Sequence, residues 1–310
     1  MILNKPKFWD QEKGFFSFLL TPISLLIRII IYLKKKIIKS KNFNIPIICV
    51  GNIYLGGTGK TPAAILLANE LCKMKRNPSI VRKFYKNHED EYDLIREYFK
   101  NLIINKSRSE AILEAEKKGF DSVILDDGFQ DYGIKKNLNI VCFNQKQLIG
   151  NGLVIPSGPL RDSLNSLRSA NILIINGLKN KDFEEKIFRI NKNLNVFYST
   201  YHVQNVDELK SKRLLALAGI GNPENFFDLL IENDLNIEKK MSFPDHYQFK
   251  KSEILSIVNY AKENKLKIVM TEKDLFKVKK FNINELNYIK VNLRIENKDK
   301  LIDLINKIYV

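Results

Sequence analysis

An α/β fold, with a mainly parallel sheet covered by helices on both faces, is predicted by three observations. Short β-rich runs alternate with helical patterns from residue 45 onward, the pattern of strand–helix–strand crossovers. The first of these runs ends in a glycine-rich turn directly before a helical pattern. The 310-residue chain is 45% hydrophobic, enough to bury one large α/β core or two smaller ones.

Residues 1–41 read as an apolar and basic helical segment that associates with a membrane. Residues 15–33 are almost continuously apolar and run into Lys34, Lys35 and Lys36. No small-residue cleavage site follows, which argues against a secretory signal. Ser17, Thr21, Ser24, Arg28 and Tyr32 recur at spacings of four, three, four and four, placing them on one narrow helical stripe. Thr21-Pro22 could restart a helix, so two short helices fit as well as one. Three placements fit: an interfacial anchor with the polar stripe toward the protein, a spanning helix, or a buried core helix. The basic run 34–41 suits the first two, because lysines beside an apolar segment are drawn to anionic lipid.

Candidate strands at 45–50, 79–82, 122–125, 139–143 and 172–175 build the main domain, residues 42–205. Strands at 213–218 and 267–270, with helical patterns at 224–232 and 252–262, build a smaller α/β domain over 206–287. The runs 196–203 and 288–295 are expected to pair as a two-stranded connection, with 288–310 returning as a strand and a last helix.

The stretch Ile47-Ile-Cys-Val-Gly-Asn-Ile-Tyr-Leu-Gly-Gly-Thr-Gly-Lys-Thr61 reads as strand, glycine-rich turn and helix start, the context of a phosphate-binding loop. Glycines let backbone N–H groups face phosphate oxygens, the helix N-terminus adds positive potential, and a lysine reaches the outer phosphates. Tyr54, Leu55, Gly56, Gly57, Thr58, Gly59, Lys60 and Thr61 are therefore the candidate nucleotide-binding residues, with Tyr54 where the consensus has its first glycine. The run Ser122-Val-Ile-Leu-Asp-Asp127 is an apolar strand ending in two carboxylates, like a Walker B strand. Thr61, Asp126 and Asp127 are the expected Mg²⁺ residues, and ATP–Mg²⁺ the expected ligand. The main domain is thus P-loop NTPase-like.

The net charge of +16 favours acidic partners, yet Lys, Ile and Asn saturate the whole sequence, so the charge marks no particular face. Neither an RNA-binding aromatic motif nor a helix-turn-helix accompanies it, and no nucleic-acid partner is expected. Cys49, Cys72 and Cys142 lie in apolar stretches without metal-ligand spacing and read as reduced core residues.

Six collinear stretches then give the chain a specific resemblance. They are Gly51-Asn-Ile-Tyr-Leu-Gly-Gly-Thr-Gly-Lys-Thr-Pro62, Asp126-Asp-Gly-Phe-Gln130, Gly150-Asn-Gly-Leu-Val-Ile-Pro-Ser-Gly-Pro-Leu-Arg161, Ala218-Gly-Ile-Gly-Asn-Pro223, Phe243-Pro-Asp-His246 and Thr271-Glu-Lys-Asp274. In order and content the chain resembles the tetraacyldisaccharide 4′-kinase family over nearly its whole length. The third stretch discriminates best: it is a turn-rich loop ending in Arg161, suited to shaping an acceptor site and to meeting a phosphate or carboxylate.

The resemblance implies a kinase that transfers the ATP γ-phosphate to the 4′-hydroxyl of a lipid-linked glucosamine disaccharide, the lipid A precursor. It implies Asp90, in His88-Glu-Asp-Glu91, as the base, His246 as the residue that orients or tunes it, and Lys60 as the electrostatic partner of the transferring phosphate. It further implies work at the cytoplasmic face of the bacterial inner membrane, against an anionic lipid surface and with no obligate protein partner. The chain departs from the family at Arg82-Lys-Phe-Tyr85, where Arg-Gly-Tyr is usual, in a short segment before Asp90, and at Asp131, where the family has His. A membrane-associated nucleotide switch acting on a protein partner is the competing reading, separated from a kinase by whether turnover needs the lipid disaccharide.

Overall fold

The computed structural model describes residues 6–86 and 88–309. The apolar N-terminal segment forms two helices, α1 (Phe15–Leu19) and α2 (Thr21–Ile37), and Pro22 opens the second, where its missing N–H costs nothing. The helices are turned polar side inward. Ser17 and Ser24 are buried, whereas Phe15, Phe16, Phe18, Leu26 and Ile37 are each more than 60% exposed. Thr21, Arg28 and Tyr32, expected on the buried stripe, are exposed, and Ile27 packs on the core in their stead. Among the described residues no helix is long and apolar enough to cross a membrane.

Gly150–Arg161 is the seat for these helices. The Asn151 amide donates to Ser17 Oγ (3.0 Å) and to the Ser157 carbonyl (2.9 Å), and Ser24 Oγ donates to the Val154 carbonyl (2.8 Å). The Ile155–Pro156 peptide is cis, and the Pro156 carbonyl accepts from the Trp9 indole (2.9 Å). The Asn-Gly and Pro-Ser-Gly-Pro turns therefore present inward-facing hydrogen-bonding groups to a helix that buries its serines.

Two units divide the chain: Lys5–Phe84, Phe99–Thr200 and Leu293–Val310 form the larger, and Tyr85–Tyr98 with Tyr201–Asn292 the smaller. In the larger lie β1 (Ile47–Gly51), α3 (Lys60–Lys73), β2 (Pro78–Lys83), then, after the α4 segment (Glu89–Tyr98), β3 (Leu102–Asn105) and α5 (Arg108–Lys117). The strands β4 (Ser122–Asp126), β5 (Leu138–Asn144) and β6 (Ile172–Asn176), helix α6 (Lys181–Phe188) and strand β7 (Asn195–Val203) follow. The smaller unit holds β8 (Arg213–Ala218), α7 (Pro223–Glu232), β9 (Asn236–Ser242), α8 (Lys251–Glu263), β10 (Lys267–Thr271), α9 (Glu272–Val278) and β11 (Leu286–Ile289). β12 (Val291–Ile295) and α10 (Lys298–Asn306) close the chain.

Among the described residues the large sheet has eight strands in the order β12-β7-β6-β5-β1-β4-β2-β3, with β1 through β7 paired in parallel. β1 and β4 are buried along their whole length, and their register sets Val50 opposite Asp126. The glycine turn and the two carboxylates thus leave the same end of adjacent central strands, where open α/β sheets bind their ligands. The smaller unit carries a parallel four-stranded sheet, β11-β10-β8-β9.

Several expectations change. The run 288–295 breaks between β11 in the small sheet and β12 beside β7 in the large one, so its first half is not part of a two-stranded connection. Residues 85–98, assigned by sequence to the main domain, group with the smaller unit, because α4 packs on α9. Edge strands β3 and β9 were not foreseen: β3 is a mainly apolar run of only four residues, and β9 is largely exposed and carries Lys239 and Lys240, so it shows no hydrophobic strand pattern. Cys72 is exposed on α3 rather than in the core, while Cys49 and Cys142 are buried.

Candidate active site

The phosphate-loop half lies in the larger unit. Gly56 and Gly59 adopt φ of 139° and 85°, backbone that glycine enters without strain, and Gly59 immediately precedes α3. Having no side chain, Gly59 leaves α3 without a side-chain cap, so the first-turn amides stand at the positive end of the helix with no side-chain acceptor at the cap. The space beside the Gly57 Cα is open. The turn is braced from behind: Asn52 Nδ2 donates to Thr58 Oγ1 (2.9 Å) and to the Gly56 carbonyl (3.3 Å), and Gln130 Nε2 donates to the Asn52 carbonyl (2.7 Å). Tyr54, in the consensus glycine position, is fully buried, with its hydroxyl donating to Asp10 (2.7 Å). Its side chain anchors the turn and leaves only its backbone for a nucleotide.

Lys60, Thr61, Asp126 and Asp127 converge. Thr61 Oγ1 donates to Asp126 Oδ2 (2.9 Å), and Lys60 Nζ lies 3.8 Å from Asp127 Oδ1. Arg161 Nη1 donates to both Asp127 oxygens (2.9 and 3.1 Å), so the cation at the end of the discriminating loop meets a carboxylate. Asp127 sits at φ 61°, turning the chain sharply after β4. Burial alone would raise its carboxyl, but the Lys60 and Arg161 charges outweigh this and hold it well below the usual carboxylate range. Burial pushes the Lys60 ammonium below the ordinary lysine value, with Asp127 opposing.

Two arginines escaped the sequence reading. Arg82, buried at the end of β2, pairs with Asp126 and donates to Thr61 Oγ1 (3.2 Å). Arg108 donates to the Asp127 carbonyl (2.6 Å) and lies 3.4 Å from Asp131. Asp131, which departs from the family histidine, thus serves as a counter-ion for Arg108. The signal for Arg82 was present in Arg82-Lys-Phe-Tyr85, whose arginine matches the family even though the glycine does not.

The base half lies in the smaller unit. Asp90, in the first turn of α4, has a side chain only 2% exposed, with His246 Nδ1 at 3.6 Å, Lys273 Nζ at 3.7 Å and Lys277 Nζ at 3.8 Å. These are ion-pair separations beyond hydrogen-bond length, and among the described residues neither Asp90 oxygen nor His246 Nδ1 has a hydrogen-bond partner. Burial works to raise the Asp90 carboxyl, but His246 and the two lysines prevail and hold it below its ordinary value. His246 is placed by a φ of 58° in the turn that follows β9. Asp90 and Lys277 also line an open cavity of about 550 Å³ with Arg96, Phe276, Lys279 and Lys280.

The Thr271-Glu-Lys-Asp274 stretch acquires a role here. Lys273 spans Glu91 (3.0 Å) and Asp245 (3.1 Å). Asp274 accepts from the Gly219 amide (2.8 Å) and from Lys277 (2.7 Å), and Lys277 also donates to the Gly219 carbonyl (2.6 Å). Asp274 is fully buried and the Lys277 side chain 1% exposed. Asp274→Asn therefore breaks a buried ion pair, leaving Lys277 the Gly219 carbonyl and the more distant Asp90, and is expected to lower the unfolding free energy by ~3–5 kcal/mol, measured by denaturant titration.

Comparison with known proteins points one way. Residues 16–309 match the family described as tetraacyldisaccharide-1-P 4′-kinase. The tetraacyldisaccharide 4′-kinase of Pelagibacter ubique is 42% identical over 99% of both chains, and that of Aliarcobacter butzleri 34% identical over 96% of both. The crystal structure of LpxK from Aquifex aeolicus in complex with ATP superposes with a TM-score of 0.73 at 25% identity, covering 96% of this chain and 100% of that one.

Proposed function

The chain belongs to the tetraacyldisaccharide-1-P 4′-kinase family and is a lipid A 4′-kinase; from that premise we propose how its residues divide the work. ATP binds on the amides of Gly56–Thr61, and the supporting observation is the α3 N-terminus, uncapped by any side chain, beside Lys60, Asp126 and Asp127. Mg²⁺ fits the same place: the donors are all oxygen, and Asp126 Oδ1 is buried without a hydrogen-bond partner among the described residues. Thr61, Asp126 and Asp127 would hold the ion, which when bound neutralises phosphate charge.

Lys60 and Arg161, paired with Asp127 in this state, turn to the transferring phosphoryl group and stabilise its charge. Asp90 accepts the proton of the 4′-hydroxyl as the acceptor oxygen bonds to the γ-phosphorus and the bond to the β–γ bridging oxygen breaks, releasing ADP. His246 positions Asp90 rather than touching the reacting atoms.

The decisive experiment offers γ-labelled ATP, Mg²⁺ and tetraacyldisaccharide 1-phosphate to the purified chain. Label should enter a lipid phosphomonoester only when the acceptor is present. Hydrolysis without acceptor, stimulated by a protein, would instead favour a nucleotide switch.

The outward-facing side chains of α1 and α2, followed by Lys34, Lys35 and Lys36, support attachment to the anionic cytoplasmic face of the inner membrane. Replacing Phe15, Phe16 and Phe18 together by Ser is expected to weaken binding to anionic vesicles at least about tenfold, since each aromatic contributes ~1.5–3 kcal/mol on leaving water. Cosedimentation measures this, and an unchanged melting temperature shows that the fold is retained.

A further inference from the structure

Beside Asp90 in the smaller unit, two imidazoles address one carboxylate. His88 Nδ1 lies 3.1 Å from Glu91 Oε2, and His246 Nε2 lies 3.9 Å from Glu91 Oε1. The two rings stack with centroids 3.8 Å apart, and one ligand atom from each of the three residues falls within 4.8 Å of the others. A four-coordinate metal with bonds of ~2.0–2.1 Å sets its ligand atoms roughly 3.3 Å apart. The two separations run to different Glu91 oxygens, and all three side chains are partly exposed, so the set closes when the imidazoles rotate out of their stack toward one carboxylate oxygen.

The two nitrogens of His246 are divided between different neighbours. Nε2 faces Glu91, while Nδ1 faces Asp90 at 3.6 Å and is buried without a hydrogen-bond partner among the described residues. A carboxylate on one imidazole nitrogen and a metal on the other is the arrangement that fixes the tautomer and raises the basicity of a metal-binding histidine. Asp90 is already placed to be that outer carboxylate. Lys273 Nζ lies 3.0 Å from Glu91 Oε1 and His88 Nδ1 3.1 Å from Oε2, so an ion enters by sharing the carboxylate with the ammonium.

We propose that His88, Glu91 and His246 bind a borderline divalent cation of the Zn²⁺ class, with Asp90 supporting His246 from behind. Two imidazoles and one carboxylate suit Zn²⁺ and Co²⁺, whereas Mg²⁺ prefers an all-oxygen set, so the site is chemically separate from the one at Asp126 and Asp127. Occupancy draws Asp90 into hydrogen bonding with a metal-bound imidazole and so withdraws it as proton acceptor, which makes the ion an inhibitor. That last consequence rests on the proposed role of Asp90, whereas the site itself does not.

The test titrates the full chain with Co²⁺ in excess Mg²⁺, reading visible d–d absorption, then displaces Co²⁺ with Zn²⁺. One equivalent should bind, and His88→Ala and Glu91→Gln should each weaken binding at least tenfold while circular dichroism remains native. Wild-type affinity in both variants would overturn the site. Zn²⁺ should also inhibit phosphoryl transfer by the wild type and do so at least tenfold less potently in His88→Ala. Binding that obeys the variants while leaving transfer untouched would overturn the inhibitory coupling and keep the site.

Discussion

Lys60→Ala should lower phosphoryl transfer by at least ~10²–10³-fold, the scale expected when one preorganised cation facing developing charge is removed. Lys60 sits in the first turn of α3 with its side chain 13% exposed, 3.8 Å from an Asp127 that Arg161 also holds. Because Arg161 remains to neutralise Asp127, the substitution leaves no stranded buried carboxylate, and the melting temperature should stay close to wild type. Single-turnover transfer and thermal unfolding, measured together, separate the two effects. Retention of full activity would remove Lys60 from the mechanism.

Asp90→Asn is expected to reduce kcat by ~10²–10⁴-fold, the range for loss of a positioned general base. It keeps the shape of the side chain and removes the charge that Lys273, Lys277 and His246 surround, so a loss of stability should accompany the loss of rate. Those same groups hold the Asp90 carboxyl below its ordinary value. The wild-type carboxylate is then ionised at neutral and mildly acid pH, and its protonation limb in kcat/KM should fall on the acid side of the ordinary aspartate range. Normal transfer by Asp90→Asn would overturn the assignment. So would an Asp90-dependent limb near neutrality.

Membership of the phosphate-loop class and the alternation of most main-domain strands with helices were legible in local patterns. A strand followed by Gly56-Gly-Thr-Gly-Lys-Thr61, and a buried strand ending in Asp126-Asp127, each carry their physics within a few residues. The spacing marked Ser17 and Ser24 as inward-facing, but the chain breaks into two helices between them, and Thr21, Arg28 and Tyr32 of the same stripe face solvent.

Tertiary structure decided what depends on residues distant in sequence. Arg82 on β2 reaches Thr61 and Asp126 only because β2 lies beside β4. Asp131 in place of histidine gains meaning only when Arg108 is seen across from it. The grouping of Tyr85–Tyr98 with the smaller unit turns on the packing of α4 against α9, and the cluster around Asp90 joins three segments that no spacing rule connects. By itself the sequence determined which chemistry this chain carries, since glycines, a lysine and paired carboxylates act through local backbone geometry. Which charges face which others was left to folding, because ion pairs between distant segments are set by strand order and helix packing.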